Sequence, residues 1–443
     1  VEMMFSLENM LQIAGDPDYA SQIERIAFNA LPTQISDNFM TRQYFQQINQ
    51  VEISMCDRNF DTNHHGTTTC FGLLSGYPCC TSNMHQGWPK FVQNLFYKTN
   101  DGGIAALLYS PSQVKTEING QQILIKEKTG YLYPVSEQAA SVLDVLRYEL
   151  QTLGVEIIYG CKVQKVERTL SGKLVVNDGD REWQFDAVIL TCGGKAAPGT
   201  GSDGSGWKIA KKAGHTCIAP VPALVQLRCL ETDLLKGIAG VRADSRVRIL
   251  CDGRETDVER GELQLTEYGI SGIPIFQLSR DVNYLLRDRK TVMAEIDFLP
   301  DMTEESYENM KKTRRMLQEK RTAEEFFTGI LNKKLMSVFL KIAGIKPTTP
   351  AVEIPEDKIN TFYELCRCFR LHITESNPYE NAQVAAGGIA VTEVTEDMES
   401  KLCPGLYFAG EILDVDGRCG GYNLQWAWSS GFIAGCSAAI KTE

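Results

Sequence analysis

Apolar and polar positions follow a helical period at the start of the chain and a strand period further on. Apolar side chains recur every third or fourth residue over 3–14 and again over 19–31, which predicts two helices separated by Asp16-Pro17. Helices joined this closely form a helical hairpin, whose apolar faces need further structure to cover them. Alternating apolar positions over 104–109 and 123–125 then predict β-strands.

The pattern after residue 130 is typical of an α/β domain. A helical stripe with Ser136 as its N-cap ends at Gly154, and short strand-like runs follow it. The apolar run over 187–191 indicates a buried parallel strand, and it ends in Cys192-Gly193-Gly194, a turn that lets a nucleotide approach the backbone. The short strand-like runs cover residues 155–159, 162–168, 174–176 and 183–185.

Between residues 220 and 345 the pattern changes to strands and then to charged helix. Strand-like segments cover 222–229, 246–252 and 261–280, and residues 302–339 are mostly helical. We therefore predict a β-rich and helical domain inserted into the α/β domain. The α/β pattern resumes after residue 345, and it ends with an apolar strand over 406–409 that Gly410 closes.

The segment 404–435 carries the clearest candidate chemistry. Glu411 stands at the carboxyl end of the strand 406–409, where open α/β sheets place their ligands. A loop containing Asp416 leads to a helix, and free N–H groups at Asn423 and the two residues after it favour an anion or an electron-rich carbonyl. By spacing alone this is also ordinary α/β structure, so both a cofactor site and a purely structural turn stay open.

Composition and charge narrow the range of partners. The 443 residues are 43% hydrophobic with a net charge of −11, which predicts a globular protein acting on a small molecule, without nucleic acid or membrane as partner. No apolar run is long enough to span a bilayer. The fourteen cysteines lie mostly in apolar settings, which is typical of reduced thiols in a cytoplasmic protein. The oligomeric state stays open.

Several segments resemble one known family. GLYFAGE, DVDG and GGYNLQWAWSSG near the C-terminus, GYLYPVSEQAASVLDVLRYELQTLGVEI from residue 130, and NAQVAAGGI from residue 381 resemble bacterial FAD-dependent oxidoreductases of the aminoacetone-oxidase-like type, a group that includes bile-acid-reductase-like flavoproteins. The resemblance implies a discontinuous Rossmann-like FAD-binding domain at 130–219 and 346–443, with residues 220–345 inserted as a cap. It implies FAD as cofactor and NAD(P)H as reductant, acting on a small organic substrate.

The same resemblance places ten residues around the flavin, while the catalytic residues stay unknown. These ten residues are Gly193, Gly194, Gly387, Gly388, Gly410, Glu411, Asp416, Asn423, Leu424 and Gln425. Leu265-Thr266-Glu267 stands where the family usually has Phe-Thr-His, so no histidine is available at that place.

A second resemblance concerns residues 1–129. ERIAFNALP, YPCCTSNMHQGWPKF and DGGIAALLYSPSQV resemble the bacterial β-L-arabinofuranosidase family of glycoside hydrolases. This implies the end of an (α/α) barrel followed by the start of a β-sandwich. It also implies Cys79 as nucleophile, with Cys79 and Cys80 as zinc ligands, and a zinc-thiolate glycosidase is therefore the alternative function. The other ligands and the acid/base of that family would lie before Val1.

The two resemblances together predict a chimera joined near Gly130. An FAD enzyme of this type needs a first βαβ unit whose glycine-rich turn binds the pyrophosphate, and no G-x-G-x-x-G precedes residue 130. The match at 199–204 follows its strand too distantly to serve, so we interpret it as a turn and a helix start. We therefore expect an incomplete FAD-binding domain with impaired cofactor binding. An inactive fusion product is the third interpretation.

Overall fold

The chain forms two compact units in a computed structural model, Val1–Ile157 and Ile158–Glu443. The structure describes residues 1–36, 41–43, 70–72, 83–100, 102–118, 121–128, 131–316 and 320–440. Cys79 and Cys80, the positions of the alternative zinc-thiolate reading, lie outside the described residues.

A helical hairpin begins the first unit, as the apolar pattern predicts. Gly15, with a φ of 69°, ends the first helix, and the Asp16 side chain caps the second by accepting a hydrogen bond from the Asp18 N–H. Among the described residues these helices do not extend into an α/α barrel. The helices of this unit are α1 (Glu2–Ala14), α2 (Pro17–Arg25, continued by a π-turn over Ile26–Ala30), α3 (Gly87–Gln93) and α4 (Ala139–Thr152).

The described strands of the first unit form small antiparallel sheets, β1–β2, β3–β4 and β5–β6–β7. They are β1 (Thr41–Gln43), β2 (Cys70–Gly72), β3 (Phe96–Lys98), β4 (Ile104–Ala106), β5 (Ser112–Ile118), β6 (Gln121–Lys128) and β7 (Tyr131–Pro134). β6 and β7 pair across residue 130, with Ile125 opposite Pro134, so the position of the expected join lies inside a hairpin. The strand predicted over 155–159 is wrong, since that segment is irregular.

The second unit begins with the α/β part that the apolar pattern predicts. Three strands form an antiparallel sheet in the order β10–β9–β8, and β11 pairs in parallel with the last strand of the chain, β20. The elements are β8 (Lys165–Arg168), β9 (Leu174–Asn177), β10 (Glu182–Phe185), β11 (Val188–Leu190), α5 (Ser205–Lys212) and β12 (Cys217–Ala223), with β20 at Leu406–Phe408.

A closed barrel of six strands follows, in the order β13–β16–β15–β14–β17–β18. Closure leaves no unpaired strand edge, and the barrel shares one apolar core with the helices around it. The strands are β13 (Leu227–Cys229), β14 (Arg242–Cys251), β15 (Arg254–Leu265), β16 (Gly269–Gly272), β17 (Val292–Asp297) and β18 (Phe369–Ser376). The helices are α6 (Thr232–Lys236), α7 (Ile273–Arg287), α8 (Glu304–Arg315), α9 (Ala323–Phe327), α10 (Lys333–Ile342) and α11 (Glu356–Arg367).

Helix α7 corrects the C-terminal part of the strand-like prediction over 261–280. Its buried side chains Ile275, Leu278 and Val282 follow the helical spacing of three and four residues. Gly272, with a φ of 103°, ends β16, and the proline next to the start of the helix is suited to its first turn. The alternation in the sequence up to Gly272 is that of strands, and the period changes at this glycine.

The chain then returns to the α/β part. β19 (Val384–Ile389) pairs antiparallel with β12, and β20 precedes a long final helix, α12 (Tyr422–Ile440). An α/β architecture with a β-rich insert is thereby confirmed.

A buried hydrogen-bonded group joins the start of β12 to the segment before β20. The His215 ring lies 3.1 Å (Nδ1) from Glu393 Oε2 and 2.7 Å (Nε2) from Ser400 Oγ. The Cys403 N–H donates to Ser400 Oγ, and the Thr216 N–H donates to Glu393 Oε2. Burial lowers the pKa of His215, although Glu393 opposes the shift, so the ring is neutral when the protein is folded at neutral pH.

We expect His215→Gln to lower the free energy of unfolding by about 1–3 kcal/mol at neutral pH and by less at acidic pH. The folded pKa lies below the value of the unfolded chain, so the unfolded chain binds the proton first. The contribution of His215 is therefore full above the unfolded pKa and is lost as the pH falls below it. Urea denaturation of both proteins between about pH 5.5 and 7.5 measures the difference.

His372→Gln is the matched control, because His372 also contacts a glutamate, Glu231, at 2.6 Å but is half exposed. We expect a smaller loss there. A His215→Gln effect that stays constant or shrinks as the pH rises would contradict the assignment.

Candidate functional site

The parallel pairing of β11 with β20 brings two glycine turns to the same end of the sheet. Leu190 lies opposite Phe408, so Gly193-Gly194 and Gly410-Glu411 follow side by side. Ser430 Oγ on α12 accepts a hydrogen bond from the Gly410 N–H at 2.9 Å. The Trp426 indole donates to the Gly410 carbonyl at 3.1 Å. The first turns of α12 are thereby fixed against the end of the strand.

Glu411 is the one carboxylate held inside this junction of turns. Its Oε1 accepts a hydrogen bond from the Ala385 N–H on β19 at 3.1 Å. Burial raises the pKa of Glu411 to about 7, and the charge of Asp416 adds to the rise while the bond from Ala385 opposes it. Gly194 leaves the room for this carboxylate, because a Cβ on Gly194 would lie 2.6 Å from Glu411 Oε1.

Protein atoms occupy the space in front of the other predicted glycines. A Cβ on Gly387 would lie 2.8 Å from the Pro220 backbone, and one on Gly388 would lie 2.7 Å from the Ile412 carbonyl. Gly193 faces the Ser202 hydroxyl in the same way, at 2.9 Å. These glycines permit a close approach of neighbouring protein segments, and a role for them toward a flavin stays a prediction.

The start of α12 carries the amides that the sequence singles out, shifted by one residue. The Gln425 N–H donates to the Gly421 carbonyl at 3.0 Å, so it is already part of the helix. The N–H groups of Tyr422, Asn423 and Leu424 precede that bond and have no acceptor within the helix. A Cβ on Gly421 would meet no atom within 4 Å, so open space lies beside this turn. Three free donors with room beside them fit the electron-rich pyrimidine end of a flavin.

Asn423 also determines the shape of the loop before the helix. Its Oδ1 accepts from the Gly417 N–H at 2.7 Å, and its Nδ2 donates to the Gly417 carbonyl at 3.0 Å. Both bonds hold Gly417, which follows Asp416, against the first turn of α12.

Asp416 faces the barrel insert and lines a cavity of about 290 Å³ beside α7. Its side chain is only 7% exposed and lies 3.6 Å from the guanidinium of Arg280. Burial raises the pKa of Asp416, and Arg280 opposes the rise. The cavity is lined by Ala223, Leu224, Asp257, Glu259, Phe276, Gln277, Arg280, Asp281, Asp416, Gly417 and Arg418.

Sequence reasoning missed the α7 residues of this cavity because it interpreted their segment as strand-like. Phe276 and Arg280 are four residues apart, as are Gln277 and Asp281, so a helical period would have placed each pair on one face. That spacing was the available signal.

No group of histidine, cysteine, aspartate and glutamate side chains that could hold a metal ion occurs among the residues the structure describes. Within the same described ranges, every helix is too short or too polar to cross a bilayer.

Comparison with known proteins identifies relatives over most of the chain. A family model described as HI0933-like protein Rossmann domain matches residues 74–437. A 3-dehydro-bile acid delta(4,6)-reductase of Clostridium scindens is 42% identical over 320 residues, spanning 72% of this chain and 78% of that protein.

Two ribosomal RNA dihydrouridine synthases are more distant relatives. The one from Haemophilus influenzae is 30% identical, over 72% of this chain and 76% of its own length. The one from Escherichia coli is 27% identical, over 71% of this chain and 75% of its own length.

Gly194→Ala should displace the Glu411 carboxylate and break its bond to the Ala385 N–H. Displacement toward solvent would relieve the burial that is the largest cause of the raised pKa and would outweigh loss of the opposing Ala385 bond, so we expect the pKa of Glu411 to fall toward its ordinary value. The free energy of unfolding should fall by about 1–3 kcal/mol. Carboxyl ¹³C NMR titration of Glu411 and urea denaturation measure the two effects. Gly199→Ala is the control, since no atom lies within 4 Å of a Cβ there and both quantities should stay unchanged. An unchanged Glu411 titration in Gly194→Ala would contradict this packing.

Proposed function

The chain belongs to the HI0933-like family of FAD-dependent Rossmann-domain oxidoreductases, and we propose that it reduces a carbon–carbon double bond conjugated to a carbonyl in a small organic substrate. The observation that carries the proposal is the set of free amides at Tyr422, Asn423 and Leu424 beside open space, at the start of the helix that is hydrogen-bonded to Gly410, the residue before the half-buried Glu411. The names of the relatives support the same reaction. A delta(4,6)-reductase of a 3-dehydro-bile acid and a dihydrouridine synthase both saturate a double bond of a ring that also carries a carbonyl.

A small substrate is a better match to this chain than an RNA. The identity to the bile-acid reductase is 42%, against 30% to the Haemophilus dihydrouridine synthase. The net charge of −11 opposes the approach of a phosphate backbone.

FAD, when bound, would supply the hydride equivalent, and NAD(P)H is the reductant we propose for it. The amides at the start of α12 would bind the electron-rich edge of the ring, since they are the donors without helical acceptors. With a pKa of about 7, about half of the Glu411 carboxyls would be protonated at neutral pH, and Oε2 would carry the proton because Oε1 accepts from the Ala385 N–H. The bonds of Asn423 to Gly417 would keep this turn in place.

Residues 1–129 contain no glycine fingerprint for the pyrophosphate of FAD, and impaired FAD binding is our proposal for this chain.

The zinc-thiolate glycosidase alternative gains no support from the relatives described above, none of which is a glycoside hydrolase. The family match also begins at residue 74, within the segment that resembles the arabinofuranosidases.

The function test combines flavin absorbance with substrate turnover. We expect purified protein supplied with FAD to show flavin absorbance that NADH or NADPH bleaches without oxygen. Addition of a neutral conjugated enone should restore the absorbance and yield the saturated ketone by mass spectrometry. If the bleached flavin were reoxidised by oxygen and not by the enone, the protein would be an oxidase and the reductase proposal would be rejected. If no flavin were bound, both functions would be rejected.

Asn423→Ala should weaken flavin binding, because the Gly417 turn loses both of its bonds to the helix. We expect the dissociation constants of FAD and FMN to rise roughly tenfold, measured by quenching of flavin fluorescence. Cys436→Ala on the same helix, several turns away, is the control and should leave both unchanged. If Asn423→Ala and the unaltered protein bound FAD and FMN with equal affinity, the start of α12 would not be part of the flavin site.

A further inference from the structure

We propose that the cavity between α7 and the loop at Asp416–Arg418 is the substrate pocket, and that it accepts a neutral or cationic group in preference to an anionic one. The inference rests on the proposed reductase function and specifies its substrate class. It concerns the part of the substrate that enters the cavity.

The cavity is connected to the start of α12 by the loop that contains Gly417. Gly417, one of its walls, is bonded twice to Asn423 in the first turn of that helix. On the other side, the Cys419 N–H donates to Gln277 Oε1 on α7 at 3.1 Å. The loop is therefore held between the amides assigned to the flavin and the helix of the barrel insert.

Three apolar side chains line part of the cavity, which is mostly polar, and its size suits a small ring system. Ala223 and Leu224 are buried, and Phe276 packs with them in one cluster. A volume of about 290 Å³ is at the lower end of ligand pockets, with room for one or two fused rings.

The rim carries more negative than positive charge. It contains four carboxylates, those of Asp257, Glu259, Asp281 and Asp416, and two guanidinium groups. Each guanidinium already has an acidic partner, since Arg280 pairs with Asp416 and Arg418 with Glu259.

Two carboxylates of the rim stay uncompensated by an ion pair. Among the described residues, neither Asp257 nor Asp281 forms an ion pair, and Asp257 accepts only from the neighbouring Val258 N–H. Four carboxylates against two guanidinium groups give the lining of the cavity a formal net charge of minus two. A phosphate or carboxylate entering this cavity would lose solvation against like charge, whereas a neutral carbonyl ring would meet no such cost.

The test compares two ligands that differ in charge and by one ester methyl group. Methyl 4-(3-oxobut-1-enyl)benzoate is a neutral enone, and its free acid is the anionic counterpart. We expect equilibrium dialysis with the full chain, without reductant, to give at least roughly tenfold tighter binding of the ester at low salt. The difference should shrink at high salt, because the rim is exposed to solvent.

Variants of the rim identify the source of the preference. The double variant Asp257→Asn and Asp281→Asn should tighten binding of the acid by about fivefold to tenfold and leave the ester unchanged. Asp288→Asn, at the end of α7 and outside the cavity lining, is the control and should change neither. Asp281→Trp should weaken the ester, because the indole would fill the cavity.

Three results would overturn the inference. They are equal affinities for ester and acid, an unchanged acid affinity in the double asparagine variant, and an unchanged ester affinity in Asp281→Trp. The expected affinities with no enone reduction by the flavin-loaded protein would support the pocket and reject the proposed reductase, so the two failures are distinguishable.

Discussion

The parallel ladder between β11 and β20 is the constraint on which the candidate site depends. Three residue pairs set its register, and that register brings Gly194 next to Glu411. The buried bonds of Gly410 to Ser430 and Trp426 then fix where α12 begins. A change of one residue in this register would move the carboxylate away from Gly194 and from the Ala385 N–H.

The barrel insert supplies the second half of the site without contributing to that ladder. Its strands form a closed barrel, and α7 of the insert lines one side of the cavity. The contact of α7 with the loop at 416–419 joins the insert to the α/β part. Helix and loop thus come from distant parts of the sequence. The chemistry assigned to the flavin side needs donors and a protonated carboxyl, whereas the insert side provides shape and charge for the substrate.

The sequence predicts elements well where one local signal dominates. The apolar run before Gly410 and the helix after Gly421 are both formed, because each follows from a period and a glycine. Two features were beyond that reasoning. The space in front of Gly387 and Gly388 depends on which backbone segment packs against them in the fold. The contacts of His215 join segments that are far apart in the chain. The barrel also uses strands on both sides of Ile345, since β18 pairs with β13 and β17.

The hairpin formed by β6 and β7 determines where the protein can be divided into fragments. A cut at codon 130 would separate residues that face one another in a ladder, Ile125 and Pro134 among them, and would leave two bare strand edges. A cut at codon 158 would fall between the two compact units. No described ladder would then be divided between the two fragments. The join that the sequence predicts near Gly130 and the boundary between the two compact units therefore lie at different positions in this chain.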